Sequence, residues 1–286
     1  MAALVLTASA CTPDPQPDPH YVLGHPYQAN GVWWYPDEHY DLTETGLASV
    51  ISGHSQHLTT NGEVFDQTAL TAAHPTLQLP AIARLTNLEN GLTVMVRLND
   101  RGSGDPRRLI EVTRRTAALL KFPADGVARV RLQILPAESH AAADALPGAP
   151  SLHMAAAPRG IVEVAALPPP PGVRQGQGRA LPDAAAAAVA DAVATAPPMR
   201  LPETVSQTAP HPGNLMVRLD TFEDYQYAAV QRAKMSRFGA RIVTISEGRT
   251  HRFRVEVGPL PDVSSADAAL LQARAAGIPD ARIVVE

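Results

Sequence analysis

The chain has 286 residues, 45% of them hydrophobic and 18% charged, with a net charge of −4. That length fits one to three domains, and that charge excludes a strongly basic nucleic-acid binder or electrostatic steering to anionic membranes. Proline is abundant, at 27 residues, and aromatics are scarce, at 5%, so part of the chain is expected not to pack into a core.

Residues 2–10 form an apolar run that ends in the small residues Ala8-Ser9-Ala10, directly before Cys11, the sole cysteine. The run is far too short to cross a bilayer but suits the end of a secretory signal. No internal disulfide is possible. Small residues before a lone cysteine are similar to a bacterial lipobox, so 1–11 is expected to be a signal remnant with Cys11 lipidated; an incidental free cysteine is the bland alternative. Residues 12–20, punctuated by four prolines, read as a tether.

Short β-like runs separated by turn signals occupy 21–135. Ala81–Thr86 and Thr93–Leu98 flank Asn90-Gly91, a strong hairpin signal. Val127–Ile134 alternates apolar and polar residues as a half-buried strand does. One helix is predicted over Thr113–Leu120. Several short strands with one helix point to a small β-barrel. Residues 136–212 hold 14 of the 27 prolines and no aromatic, and read as a disordered linker that cannot bury enough apolar surface to offset its ordering entropy. From 213 to 286 the pattern is β-α-β-β-α-β: strands at 215–219, 241–245, 252–257 and 282–285, helices at 223–238 and 265–276. A split βαβ domain of this ferredoxin-like α+β kind puts both helices on one sheet face. Alternation turns Phe253, Val255 and Val257 to the helices and Arg252, Arg254 and Glu256 outward.

Three stretches carry a resemblance: Pro26–Pro36 with Glu44–Ser49; Thr60–Asp66 with Leu70–His74; and Ala83–Gly91 running to Asn99-Asp100-Arg101-Gly102. In this order they resemble the rare lipoprotein A family, septal-ring lytic transglycosylases. The likeness covers residues 21–135 and implies an all-β double-psi β-barrel. Residues 213–286 look like a SPOR domain, which in its family binds septal glycan stripped of stem peptides. The sequence also departs from the family. Val50-Ile51-Ser52 stands where Trp-Tyr-Gly is usual, Gly53–Leu58 replaces a Phe-His-Gly-Arg segment, Ser103-Gly104-Asp105 replaces a proline and an aromatic, and Glu111 replaces an aspartate. In the SPOR-like part, Arg218 and Asp220 stand where Gln and Gly are common.

A lytic transglycosylase cleaves the bond between N-acetylmuramic acid and N-acetylglucosamine by letting the muramyl C6 hydroxyl attack its own anomeric carbon. One carboxylic acid protonates the leaving oxygen and then accepts the hydroxyl proton. The second carboxylate of a hydrolase is not needed. Asp100 is the candidate acid/base; a structural Asp pairing with Arg101 or capping its turn is the alternative. The resemblance places Glu63, Asp66 and His74 around the same cleft, Glu63 as a sugar ligand or electrostatic neighbour of Asp100, the other two as orienting groups. It implies substrate contacts from Asn61 and Arg101 in the barrel, and the outward sheet face adds Arg218 and Arg254. Without it, Asn61-Gly62-Glu63 is merely a turn and His74 a satisfied core residue. No metal is expected, because His54, His57 and His74 lack HExxH or other ligand spacing, and no cofactor, nucleophile elbow or phosphate loop is present.

The expected function is endolytic cleavage of peptidoglycan to 1,6-anhydro-muramyl products, with a preference for denuded septal glycan. The alternative is a non-catalytic peptidoglycan-binding septal lipoprotein. The expected location is the cell envelope, lipid-anchored to the outer membrane, facing the periplasm and enriched at the septum. The expected partners are glycan strands, with a membrane reached only through the lipid, no nucleic acid, and no protein partner that the residues identify.

Overall fold

The computed structural model describes residues 16–53, 57–150, 199–247 and 250–286. Cys11, His54 and most of the proline-rich stretch lie outside these residues, as does any lipid attached at Cys11.

A small hairpin of β1 (Tyr27–Ala29) and β2 (Val32–Trp34) precedes the barrel. The barrel strands are β3 (Thr43–Val50), β4 (Thr71–Ala73), β5 (Ala81–Asn87), β6 (Leu92–Asp100), β7 (Ile110–Val112) and β8 (Val127–Ile134), with helix α1 (Arg114–Leu119) before the last. They run in the order β4-β7-β3-β8-β5-β6, and a parallel pairing of β4 with β6 closes the sheet on itself. This six-stranded closed barrel is of the double-psi type. Closure removes exposed strand edges. Its interior is filled by Leu85, Val94, Val96, Leu98, Val130 and Leu132, among others. The predicted hairpin forms around Gly91, and the predicted helix forms at Arg114–Leu119 with Thr113 as its cap, accepting a hydrogen bond from the Thr116 amide.

Strand β9 (Ser206–Gln207) precedes the C-terminal unit, which contains β10 (Leu215–Phe222), α3 (Tyr225–Lys234), β11 (Arg241–Glu247), β12 (Thr250–Leu260), α4 (Val263–Ala275) and β13 (Arg282–Val285). The sheet order is β11-β12-β10-β13, antiparallel throughout. The β-α-β-β-α-β reading is therefore met. Val255 and Val257 pack on Ala266, Leu270 and Ala273, with Phe253 half-buried beside them. The same apolar cluster continues into the barrel through Leu47 and Leu88.

Two parts of the sequence reading change. The stretch 136–212 is not uniformly a linker. Pro136–Asp144 forms helix α2 against β5, where Ser139 Oγ accepts from the Ile82 amide at 2.9 Å and donates to its carbonyl at 3.0 Å. Residues 199–212 form a strap along the barrel. Within it β9 (Ser206–Gln207) pairs with the start of β6, and Leu201 joins a small core with Leu70, Ile82, Leu135 and Ala142. Aromatic-free segments can dock this way because a closed barrel offers a preformed apolar surface, so alanines and one leucine suffice. The end of the expected tether is also docked: the amides of Asp18 and His20 donate to the carbonyls of Gly62 and Asn61, each at 2.9 Å. Gly62 has φ +80°, and a Cβ there would stand 2.0 Å from the Asp18 carbonyl oxygen, so only glycine fits.

Candidate active site

Asp100 closes β6 and is half-buried. Its Oδ1 accepts three hydrogen bonds: from the Thr60 hydroxyl at 2.6 Å, the Thr60 amide at 3.0 Å and the Arg101 amide at 2.8 Å. Oδ2 takes none of these and lies 3.8 Å from His57 Nε2. The His57 ring stacks on Phe65, centroids 4.7 Å apart. One oxygen of Asp100 is thus anchored, which orients the other.

Glu63 lies behind this group and is only 5% exposed. Oε1 accepts from Arg97 Nε at 2.9 Å and Asn61 Nδ2 at 2.8 Å and lies 2.8 Å from Arg97 Nη2 in an ion pair; Oε2 accepts from Asn99 Nδ2 at 2.8 Å. Asn61 is fully buried, and its Oδ1 accepts from the Thr59 hydroxyl at 2.8 Å and the Glu63 amide at 3.3 Å. Both side chains are committed inward. They shape the loop that presents Thr60 to Asp100, and a sugar contact from either would break an existing bond.

His74 is also buried. Its amide donates to the Asp100 carbonyl at 2.9 Å, and its Nδ1 accepts from the amides of Thr76 at 3.3 Å and Leu77 at 3.2 Å. Burial, with Arg101 adding repulsion, pushes its pKa down to about 3. The ring is therefore neutral and caps the turn that follows β4. Arg101 does not pair with Asp100. Its guanidinium donates to the carbonyls of Leu23 at 2.6 Å, His74 at 3.3 Å and Leu77, and burial holds its pKa below the usual arginine range. It fastens three chain segments under the site. That arrangement accounts for the residue without a substrate contact.

Asp66 stands apart from this cluster. Oδ1 accepts from the Thr68 amide at 2.8 Å and hydroxyl at 2.7 Å, and Oδ2 pairs with Arg200 of the strap at 2.6 Å. Desolvation pushes its pKa up, but the Thr68 bonds and Arg200 outweigh it and leave the carboxyl below its ordinary range. Ser103 and Glu111 meet: the Ser103 amide and hydroxyl both donate to the Glu111 carboxylate. On the C-terminal sheet, Arg218 pairs with Glu286 at 2.6 Å, while Arg254 lies 3.3 Å from Glu256 and 3.4 Å from Glu286. They share a face, as alternation predicts, in a ladder that also buries Glu256 beneath Arg241. Among the described residues no group of three His, Cys, Asp or Glu side chains is placed to hold a metal ion.

Sequence reasoning missed Thr60 and His57, the two side chains beside Asp100. His57 falls in the Gly53–Leu58 stretch, where no motif marked it, and Thr60 opens the Thr60–Asp66 stretch, where the carboxylates drew the assignment instead. A threonine before Asn-Gly carries no signal of its own; its role exists only once the 59–63 loop meets the end of β6.

Residues 36–132 match the family model described as lytic transglycolase. The endolytic peptidoglycan transglycosylase RlpA of Rickettsia bellii is 37% identical over 133 residues, 43% of this chain and 59% of that protein. The protein of the same name from Neisseria meningitidis serogroup B is 38% identical over 42% of this chain and 52% of its own length. The chain thus spans little more than half the length of these curated relatives. A crystal structure of the RlpA SPOR domain from Pseudomonas aeruginosa overlays with a TM-score of 0.24 at 19% identity, covering 25% of this chain and 99% of that one, and no function is taken from it.

Proposed function

We propose, from the match of residues 36–132 to the lytic transglycolase family model and the likeness to the RlpA proteins, that the protein is an endolytic peptidoglycan transglycosylase that releases 1,6-anhydro-muramyl products from denuded septal glycan. The observation that carries the reading is the asymmetry of Asp100. Its Oδ1 is anchored by Thr60 and Arg101 while Oδ2 is left to exchange a proton. A lytic transglycosylase needs one such group. In its acid form Asp100 protonates the leaving glycosidic oxygen; the carboxylate left behind accepts the proton of the muramyl C6 hydroxyl as that oxygen closes on the anomeric carbon. Proton count returns to its starting point and no water is consumed. Glu63 is a poor alternative because three hydrogen bonds and the ion pair with Arg97 fill its carboxylate, and Asp66 is held by Arg200.

In this reading Glu63, Asn61, His74 and Arg101 build the platform, while Thr60 and His57 flank the acid. The C-terminal domain acts as a SPOR-type glycan-binding module that delivers the barrel to the septum, and Cys11 carries the lipid that holds the protein in the envelope, facing the periplasm. The experiment is digestion of sacculi pretreated to remove stem peptides, read by muropeptide mass spectrometry. Wild type should release 1,6-anhydro products, and Asp100→Asn should lose about 10²–10⁴ in rate while keeping its fold. Reducing-end muramic acid would make the protein a hydrolase and sink the acid/base assignment. Binding without any product would leave a glycan-binding protein.

A further inference from the structure

A cleft of about 610 Å³ lies between the barrel and the C-terminal domain, and Asp100 is not among the residues that line it. One wall is the aromatic hairpin, Trp33, Trp34 and Tyr35; the other bears Arg218, Arg274 and Arg282. The walls are fixed to each other. Arg108 grips Asp267 with two bonds at 2.7 and 2.9 Å, and Thr45 Oγ1 donates to the Val285 carbonyl at 2.7 Å and accepts from its amide at 3.1 Å. The cleft is therefore built by both domains together.

Three features define what it would take. Trp33 is 57% and Tyr35 65% exposed, large rings offering flat apolar faces of the kind on which the C–H faces of sugars stack. Trp34 Nε1, Arg218 Nε and Arg274 Nε are buried donors with no hydrogen-bond partner among the described residues, and buried donors call for acceptors. Arg218 has Glu286 and Arg282 has Glu44 at 3.3 Å. Arg274 makes only a 3.2 Å bond to the Ala281 carbonyl and forms no ion pair among the described residues. Asp280 and Asp105 act on Arg274 electrostatically without pairing with it, and aromatic faces beside a guanidinium that has no direct ion pair fit an acidic saccharide, because a guanidinium is well matched to a carboxylate.

We infer that this cleft is a second glycan site, shared by the two domains, in which Arg274 binds the free lactyl carboxylate of a muramyl residue while Trp33 and Tyr35 stack on the sugar rings. The inference rests on the proposed reading of denuded glycan as substrate. Hydrolysis of the amide between the lactyl group and the stem peptide leaves one carboxylate per disaccharide where the intact strand has a neutral amide. Arg274 would read the very group that distinguishes the two. His74 lines the cleft and donates its amide to the Asp100 carbonyl, so the cleft and the candidate active site share a wall.

The test uses the full chain carrying Asp100→Asn, so that strands are bound and not cut. Two labelled probes are compared by fluorescence anisotropy: denuded glycan strands, and the same strands after carbodiimide coupling of their carboxylates to methylamine. The Asp100→Asn chain should bind the acidic strands at least tenfold more tightly, with the margin shrinking as salt rises. Adding Arg274→Gln should remove the margin, and adding Trp33→Ala, at an exposed position, should weaken both probes alike. Arg282→Gln, also exposed, should narrow the margin if Arg274→Gln proves unstable by thermal melting. Equal binding of the two probes, or a margin unchanged in the folded arginine variants, would overturn the inference. Absence of anhydro products from wild type would instead count against the catalytic reading, so the two failures are distinguishable.

Discussion

Arg97 grips a single oxygen of Glu63 from two nitrogens, Nε at 2.9 Å and Nη2 at 2.8 Å, with both side chains sealed from solvent. A buried pair of this kind is costly to break from one side, typically about 3–5 kcal/mol, because the remaining charge is stranded. Glu63→Gln should therefore lower the stability to urea by several kcal/mol. The rate per folded molecule should fall less than in Asp100→Asn. A Glu63→Gln protein that is fully stable and catalytically dead would place Glu63 in the chemistry instead.

The pH dependence of stability should carry the mark of His74. An unfolded histidine protonates near 6.5, whereas the folded one resists until about 3. Above 6.5 neither state holds the proton and the contribution is fully present. Between 6.5 and 3 only the unfolded chain binds it, so stability falls as pH drops, by roughly 1.4 kcal/mol per pH unit. In His74→Asn the amide oxygen can still accept from the Thr76 and Leu77 amides but does not titrate. Urea midpoints at pH 7 and pH 4.5 should therefore differ less in this variant than in wild type; an identical difference would remove His74 from the acid limb.

Much of the fold was legible because it is carried by local signals. Alternation placed Val127–Ile134, Asn90-Gly91 placed the hairpin, and Thr113 placed the start of α1. Asp100 and Glu63 were legible through motif resemblance, but their different fates were not. The two carboxylates look alike in sequence, and only Arg97 and Asn99 of β6, together with Asn61 of its own loop, turn Glu63 inward. The strap at 199–212 was illegible for a similar reason. Leu201 and Arg200 have no periodicity of their own and acquire partners, Leu70 and Asp66, only on the finished barrel.

That strap should be held by its apolar contact more than by its charges. The Arg200–Asp66 pair has both side chains well exposed, and exposed pairs contribute about 0–1 kcal/mol. Leu201 is 5% exposed, and truncating a buried leucine costs about 2–5 kcal/mol. Limited proteolysis should cut Leu201→Ala within 199–212 many times faster than wild type, and Arg200→Ala only slightly faster. The reverse order would mean that the ion pair fastens the strap.

The last expectation concerns the anchor of the acid itself. The Thr60 hydroxyl donates to Asp100 Oδ1 at 2.6 Å, and the amide of the same residue supports it at 3.0 Å. Thr60→Val keeps the shape and the amide bond but removes the hydroxyl donor. A hydrogen bond to a charged group contributes about 1.5–3 kcal/mol, and its loss lets the carboxylate turn away from the glycosidic oxygen. Small misplacements of a reacting group cost on the order of 10²-fold. Thr60→Val should therefore lower the rate of anhydro-product release by roughly ten- to a hundredfold, with glycan binding little changed and stability lowered by at most about 1.5–3 kcal/mol. Thr60→Ser restores a hydroxyl at the same atom and should recover most of the rate. If serine fails to rescue, or valine is harmless, the Thr60 hydroxyl does not position Asp100, and the orientation of the acid must come from the Thr60 and Arg101 amides.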